Sequence, residues 1–220
     1  MTFHTSIRFS ALAALLFTSS ACVNISSMQT AQTLEQGQIR IQAGGGVYPV
    51  PLLDAEEGDA VKSAAAPAVE AKVRYGLIEN LDLGATITLP GTGAFDGKYR
   101  FLRQDNGLAL ATGLSIGTVS YSLGSGSSEI KGRFIDTMIP LYASYDVSSF
   151  FSVYAVPKYM LRTRIESLND TTEVALGHFV GSSAGLKVGQ NAGVFLEGSY
   201  LKGISQGDLL QGALAIFVDF

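Results

Sequence analysis

Residues 208–220 read DLLQGALAIFVDF, and few folds accommodate such a stretch. Leu210, Leu214, Ile216, Val218 and Phe220 share one side of an extended chain, with Gly212 between the first two. Gln211, Ala213, Ala215, Phe217 and Asp219 share the other. Period-two alternation of this length specifies a strand with one strongly apolar face, here stopping on an aromatic residue. From Gly37 onward the same alternation recurs between turn signals, so a single all-β domain is expected over residues 37–220.

Composition narrows the setting of that domain. The 220 residues are 47% hydrophobic and only 15% charged, and mean hydropathy is +0.27. That is apolar for a soluble β-protein, yet beyond the first residues no run reaches the roughly 18 apolar residues of a membrane helix. A barrel in a membrane reconciles the two, because it needs apolar residues only at alternate positions. The net charge of −4 provides no basic footprint for nucleic acid. Trp is absent, so nine Tyr and twelve Phe must supply any aromatic girdle.

The alternation ending on Phe220 resembles the closing strand of bacterial outer-membrane β-barrels, in which that end is the assembly signal. The glycine usual four residues before the penultimate apolar position is absent; the region reads Gly212-Ala213-Leu214-Ala215. The run TAQTLEQGQIRI is similar to the entry into several such barrel families. The resemblance, to the small OmpA/OmpW-like class, implies an antiparallel up-and-down transmembrane β-barrel. It further implies contact with outer-membrane lipid and with the barrel-assembly machinery.

Residues 1–21 form a secretion signal, with Arg8 for charge, Phe9 to Phe17 as apolar core and Ser19-Ser20-Ala21 before the cut. Cys22, the one cysteine, follows directly and resembles the acylated cysteine of a lipobox, although Ser19 stands where Leu is usual. An ordinary signal cut at the same bond is the alternative. It would leave an odd thiol in a secreted chain. Residues 22–36 lack alternation and are expected to be a lipid-anchored periplasmic tether. The chain is thus expected in the bacterial outer membrane, anchored by its amino terminus on the periplasmic side.

Strands are predicted at 38–48, 68–77, 81–89, 95–102, 108–121, 134–145, 151–162, 174–188, 192–201 and 208–220, ten in all. Connections after the odd strands are longer than those after the even ones, as outer loops are longer than periplasmic turns. Pro140 and Pro157 fall inside predicted strands and cannot donate to a ladder. Bulges are expected there, or the hairpin is misdrawn and eight strands are the alternative.

Alternation alone does not say which face is inside. Glu70, Lys72 and Arg74, and again Asp96, Lys98 and Arg100, put charge in mid-strand opposite aliphatic or aromatic neighbours. Together with the signal, the loop asymmetry and Phe220, this assigns the charged face to the lumen. The inward set is Arg40, Glu70, Lys72, Arg74, Asp82, Asp96, Lys98, Arg100, Asp136, Lys158, Lys187 and Glu197, with Asp82 expected between Arg74 and Arg100. Buried charges need partners, so mixed signs predict a cross-linked network of side chains filling the lumen. An ion-selective pore would favour one sign, and open channels appear at about sixteen strands. Lys72 is expected to pair with Glu70 or Asp82.

For chemistry, the chain past the signal has one histidine, His178, with Ser182 on the same face and Glu197 on the next strand. Outer-membrane lipid A deacylases are similar in using His, Ser and an acid, but place Ser two residues from His, where this chain has Val180. The acidic run Asp54, Glu56 and Glu57 is a solvated loop or, less directly, a protease-type or calcium-binding cluster. No Cys/His metal site can be assembled, and no cofactor is expected. Gly44-Gly45-Gly46 lacks the features of a phosphate loop and is expected to mark curvature or a bulge. The expected function is structural or surface-interacting, with the extracellular-loop partner unknown. A soluble lipocalin-like barrel with its apolar face inside and a barrel enzyme acting on lipid are the alternatives.

Overall fold

The computed structural model describes residues 24–51, 63–89, 91–123, 130–168, 171–204 and 207–220. The signal segment, Cys22 and the acidic run at 54–57 lie outside them. Ten strands follow one another: β1 (Ile39–Pro51), β2 (Ser63–Ile78), β3 (Leu81–Leu89), β4 (Thr92–Arg103), β5 (Leu108–Leu123), β6 (Ile130–Asp146), β7 (Phe151–Leu168), β8 (Thr171–Gly189), β9 (Ala192–Ile204) and β10 (Leu209–Asp219). Each pairs antiparallel with its chain neighbours, and β1 pairs with β10, closing an all-β, up-and-down barrel of ten strands rather than eight.

The period-two pattern maps onto this wall residue by residue. In β10, Leu210, Leu214 and Ile216 point outward and are 71%, 54% and 60% exposed, while Gln211, Ala213, Ala215 and Phe217 are buried inside. Slipping the register by one residue would exchange every side chain between the two faces. The outward set includes Val69, Val73, Leu83, Ile87, Phe95, Ile116 and Leu196. The aliphatic face is therefore the outer surface, which removes the basis for a lipocalin-like interior.

Closure needs the glycine run of β1. Side chains at Gly44 or Gly46 would collide with the β10 backbone near Leu214 and Gly212. The β1–β10 pairing runs without a shift from Arg40–Asp219 to Val47–Gly212, so of the two expectations for these glycines, curvature or a bulge, the bulge does not occur in that pairing. Register shifts fall instead between Gly76 and Ile78 and between Arg100 and Leu102. Pro140 and Pro157 make no bulge either. The β5–β6 pairing is interrupted between Thr112–Leu141 and Ser115–Met138, and the β6–β7 pairing between Pro140–Lys158 and Ala143–Ala155, both in unchanged register. The ladder tolerates the missing donors by skipping the rung.

The connections at Ile78–Leu81, Arg103–Leu108, Asp146–Phe151 and Gly189–Ala192 lie at the end where β1 starts and β10 stops. Asn80 (φ 66°) and Gly107 (φ 94°) supply the left-handed residues of two of them. The longest connections, Pro51–Ser63 and Leu123–Ile130, lie at the other end, but Leu89–Thr92 and Leu168–Thr171 there are two-residue links, so the expected length alternation holds only in part. At this other end several strands run longer than the sequence predicts. The β7–β8 ladder continues from Arg162–Gly177 to Leu168–Thr171. The β7 extension reads TRIESL, polar apart from Ile165 and Leu168, and is too weakly patterned to mark a strand.

The largest departure from expectation concerns residues 24–36. They are not a tether outside the barrel: they have no secondary structure of their own and run through its lumen. Ile25, Met28, Ala31 and Leu34 are buried, and Met28 and Ala31 pack with Ala109, Tyr142, Tyr154, Phe195 and Phe217 of the wall. Ile25 packs with Met160, Phe179, Leu201 and Leu209.

Candidate functional site: the lumen and the segment inside it

An irregular chain in a closed barrel faces a specific problem. The wall's backbone groups are used up in the ladder, and buried amides and carbonyls of the segment still need partners. Here wall side chains provide them. The amides of Ser27 and Met28 donate to the two oxygens of Glu197 at 2.7 and 2.6 Å. The same carboxylate accepts from Tyr154 Oη (3.0 Å) and Ser199 Oγ (2.9 Å). Met28 lies at φ 42°, unusual for a side chain of its size, and the grip on two successive amides holds it there. The Ile25 amide donates to Gln211 (2.8 Å), that of Ala31 to Ser144 (3.1 Å) and that of Leu34 to Asp82 (3.2 Å).

Lysines serve the carbonyls. Lys72 Nζ donates to Ser27 O (2.8 Å), Lys98 Nζ to Thr30 O (3.1 Å) and Gln32 O (2.7 Å), and Lys158 Nζ to Ile25 O. Charge-assisted bonds of this kind contribute about 1.5–3 kcal/mol each. Mixed signs in the lumen thus match the two polarities of a peptide backbone.

The remaining charges pair across the wall. Arg74 bridges Asp82 and Asp96, the latter at 2.5 Å, and Lys98 lies 3.5 Å from Asp82. Gly84 makes room for this cluster, since a side chain there would overlap Arg74 and Asp96. Arg40 holds Asp219 at 2.6 Å and lies over the Phe217 ring, against which Lys187 also stacks. Arg162 grips Asp136 at 2.7 and 2.8 Å over Phe134.

All twelve residues assigned to the lumen face it, but several pairings differ from expectation. Asp82 sits between Arg74 and Lys98, not Arg100, which instead binds Asn80 and Gln32 (2.7 Å). Lys72 serves the Ser27 carbonyl rather than Glu70 or Asp82. Glu70 accepts from Asn24 (2.6 Å) and Tyr48 (3.0 Å). Sequence reasoning missed Arg162, Asp219, Gln42 and Gln211 as functional lumen residues, although their parity in the strands was readable.

Beside the segment lies a cavity of about 50 Å³ bordered by Gln29, Lys72, Thr88, Asp96 and Asp136. It has room for ordered water, and Gln29 Oε1 is buried there without a protein partner. At the short-turn end a polar mouth of about 480 Å³ opens between Gln32, Glu35, Arg40, Arg100 and Asp219.

The deacylase-type constellation is not assembled. His178 and Ser182 face outward, whereas Glu197 faces the lumen. His178 Nδ1 instead meets Tyr159 Oη at 2.7 Å. Among the described residues no cluster of three or more metal-ligating side chains occurs.

No protein-family model matches the chain, and no curated protein does. Solved structures similar in fold include Ail, the attachment invasion locus protein of Yersinia pestis, at 14% identity over 84% of this chain and 100% of that one, TM-score 0.46. The outer membrane protease OmpT from Escherichia coli is similar at 17% identity over 86% and 98%, TM-score 0.45. The translocator domain of autotransporter NalP from Neisseria meningitidis is similar at 13% over 98% and 94%, TM-score 0.45.

Proposed function

We propose that this chain is a bacterial outer-membrane β-barrel lipoprotein with a structural or surface-interaction role, its lumen closed by its own residues 24–36. The observation that carries this reading is the inversion of the two faces. An aliphatic outer band surrounds a lumen lined by Arg74, Lys98, Lys158, Asp82 and Glu197. A water-soluble barrel would gain nothing from exposing Leu210, Ile216, Phe95 and Leu89, whereas in hydrocarbon that surface is solvated by lipid. The occupied lumen favours a closed body over a conduit. With His178 and Glu197 on opposite faces, a non-catalytic role is favoured.

Phe220 fits the part of assembly signal for the barrel-assembly machinery. Its ring is outward and 71% exposed, and its backbone closes the seam with Ile39 at 2.8 and 3.0 Å. Acylation of Cys22 supplies the lipoprotein part of the reading.

Heat modifiability tests the barrel. The detergent-extracted protein should migrate differently on a denaturing gel before and after boiling, and should be silent in planar bilayers. A soluble periplasmic protein with no shift would overturn the proposal. Incorporation of radiolabelled palmitate, lost in Cys22→Ser, tests acylation separately.

A further inference from the structure

The direction in which residues 24–36 thread the lumen has a topological consequence. Leu34 is at Asp82, beside the short turns, where the chain bends into β1. Asn24 is at the other end. Its side-chain amide donates to Glu70 (2.6 Å) and to Thr88 (2.9 Å), one residue from the far end of β3, and its Oδ1 accepts from Gln211 (3.2 Å) near the far end of β10. Six residues of β3 separate Asp82 from Thr88, about 20 Å of strand.

The wall is lowest where Asn24 is clamped. β3 pairs with β2 only as far as Leu89–Val69, although β2 extends beyond it to Ser63. β10 reaches only Val47–Gly212 along β1, which continues to Pro51. On the outer surface of β10, apolar Leu210 gives way towards the far mouth to Asp208, which accepts from Tyr200 Oη at 2.6 Å, and on β9 Lys202 interrupts the apolar face before Ile204. Asn24, bound to Thr88 and Gln211, therefore lies level with the last outward apolar residues of β3 and β10, Leu89 and Leu210. Behind Asn24 the rest of the segment fills the lumen down to Leu34 at the end where β1 starts.

We propose that the chain preceding Asn24 leaves the barrel by the far mouth, placing the mature amino terminus at the cell surface. An acyl chain on Cys22 would then enter the outer leaflet over the low rim at β9–β10, not the periplasmic leaflet. The proposal rests on the outer-membrane reading, because it takes the end with the longest connections, Pro51–Ser63 and Leu123–Ile130, to face outward and the end where β1 starts to be periplasmic.

The test is an epitope inserted between Val23 and Asn24 of the full chain, with a second variant carrying it in the turn between Arg103 and Leu108. Both are first checked for the membrane fraction and the heat shift, which report on the barrel alone. Antibody signal at the first position should be the same on intact and permeabilised cells, while the turn epitope should be reached only after permeabilisation. A heat-modifiable barrel whose first epitope is reached only after permeabilisation, or only after boiling, would overturn the surface terminus and leave the barrel reading standing.

Discussion

The lumen holds two kinds of charge. Towards the short turns, Arg74, Asp82 and Asp96 satisfy one another across β2, β3 and β4, and would do so in an empty barrel. Further up, Lys72, Lys158 and Glu197 have as principal partners the backbone of residues 25–28. The first group resembles a structural ion cluster. The second is complementary to an extended peptide and is left uncompensated without it. A lumen can thus be charged for two different reasons, and only the partners distinguish them.

The sharpest way to break this comparison is deletion of residues 24–33. It should orphan Lys72, Lys158 and Glu197 together while leaving Arg74 and its partners intact, and it should convert a silent barrel into a conducting one. Planar-bilayer recording and the temperature of the heat shift check both expectations. Next, Arg74→Met should strip Asp96 of its buried partner and leave Asp82 with only Lys98 and the Leu34 amide, at a cost of about 3–5 kcal/mol, typical of removing one partner of a buried pair. Denaturant unfolding in detergent should register that loss, while conductance stays silent because the segment keeps its own anchors.

Glu197→Gln should do the reverse. It keeps one acceptor for two amides and should cost about 2–3 kcal/mol, yet it should raise bilayer conductance or protease cleavage within residues 24–33 more than Arg74→Met does. Equal behaviour of the two variants would erase the distinction between the groups. Lys72→Leu should lose about 1.5–3 kcal/mol, the worth of one charge-assisted bond to Ser27 O, without affecting Glu70, which retains Asn24 and Tyr48. His178→Ala, on the outer face, should change stability by no more than about 0.5 kcal/mol and leave the lipid A of the host cells unaltered.

Legibility in the sequence followed the local physics. β3 matches its predicted bounds of 81–89, because every residue from Leu81 to Leu89 alternates and a turn stands on either side. β7 and β8 run past theirs, because their extensions, 163–168 and 171–173, are mostly polar and are held by backbone pairing that leaves no side-chain pattern. The inward charges were identifiable by parity alone, but their partners were not. Lys72 and Glu197 bind backbone atoms, and a backbone amide has no signature in sequence. Residues 24–36 looked like a linker for the same reason. Their one signal is an apolar residue at every third position, Ile25, Met28, Ala31 and Leu34, too sparse to distinguish a lumen segment from chance.

By itself the sequence determined that this chain is a ten-stranded sheet with one aliphatic and one charged face, since a strand's side chains alternate whatever surrounds it. The low charge content and the mid-strand charges also pointed the charged face inward. Only the tertiary structure decided what fills the barrel and which way that filling runs. Closure brings Glu197 of β9, Lys158 of β7 and Lys72 of β2 around a single axis, and the backbone that meets them there has donors and acceptors but no side-chain pattern to announce it.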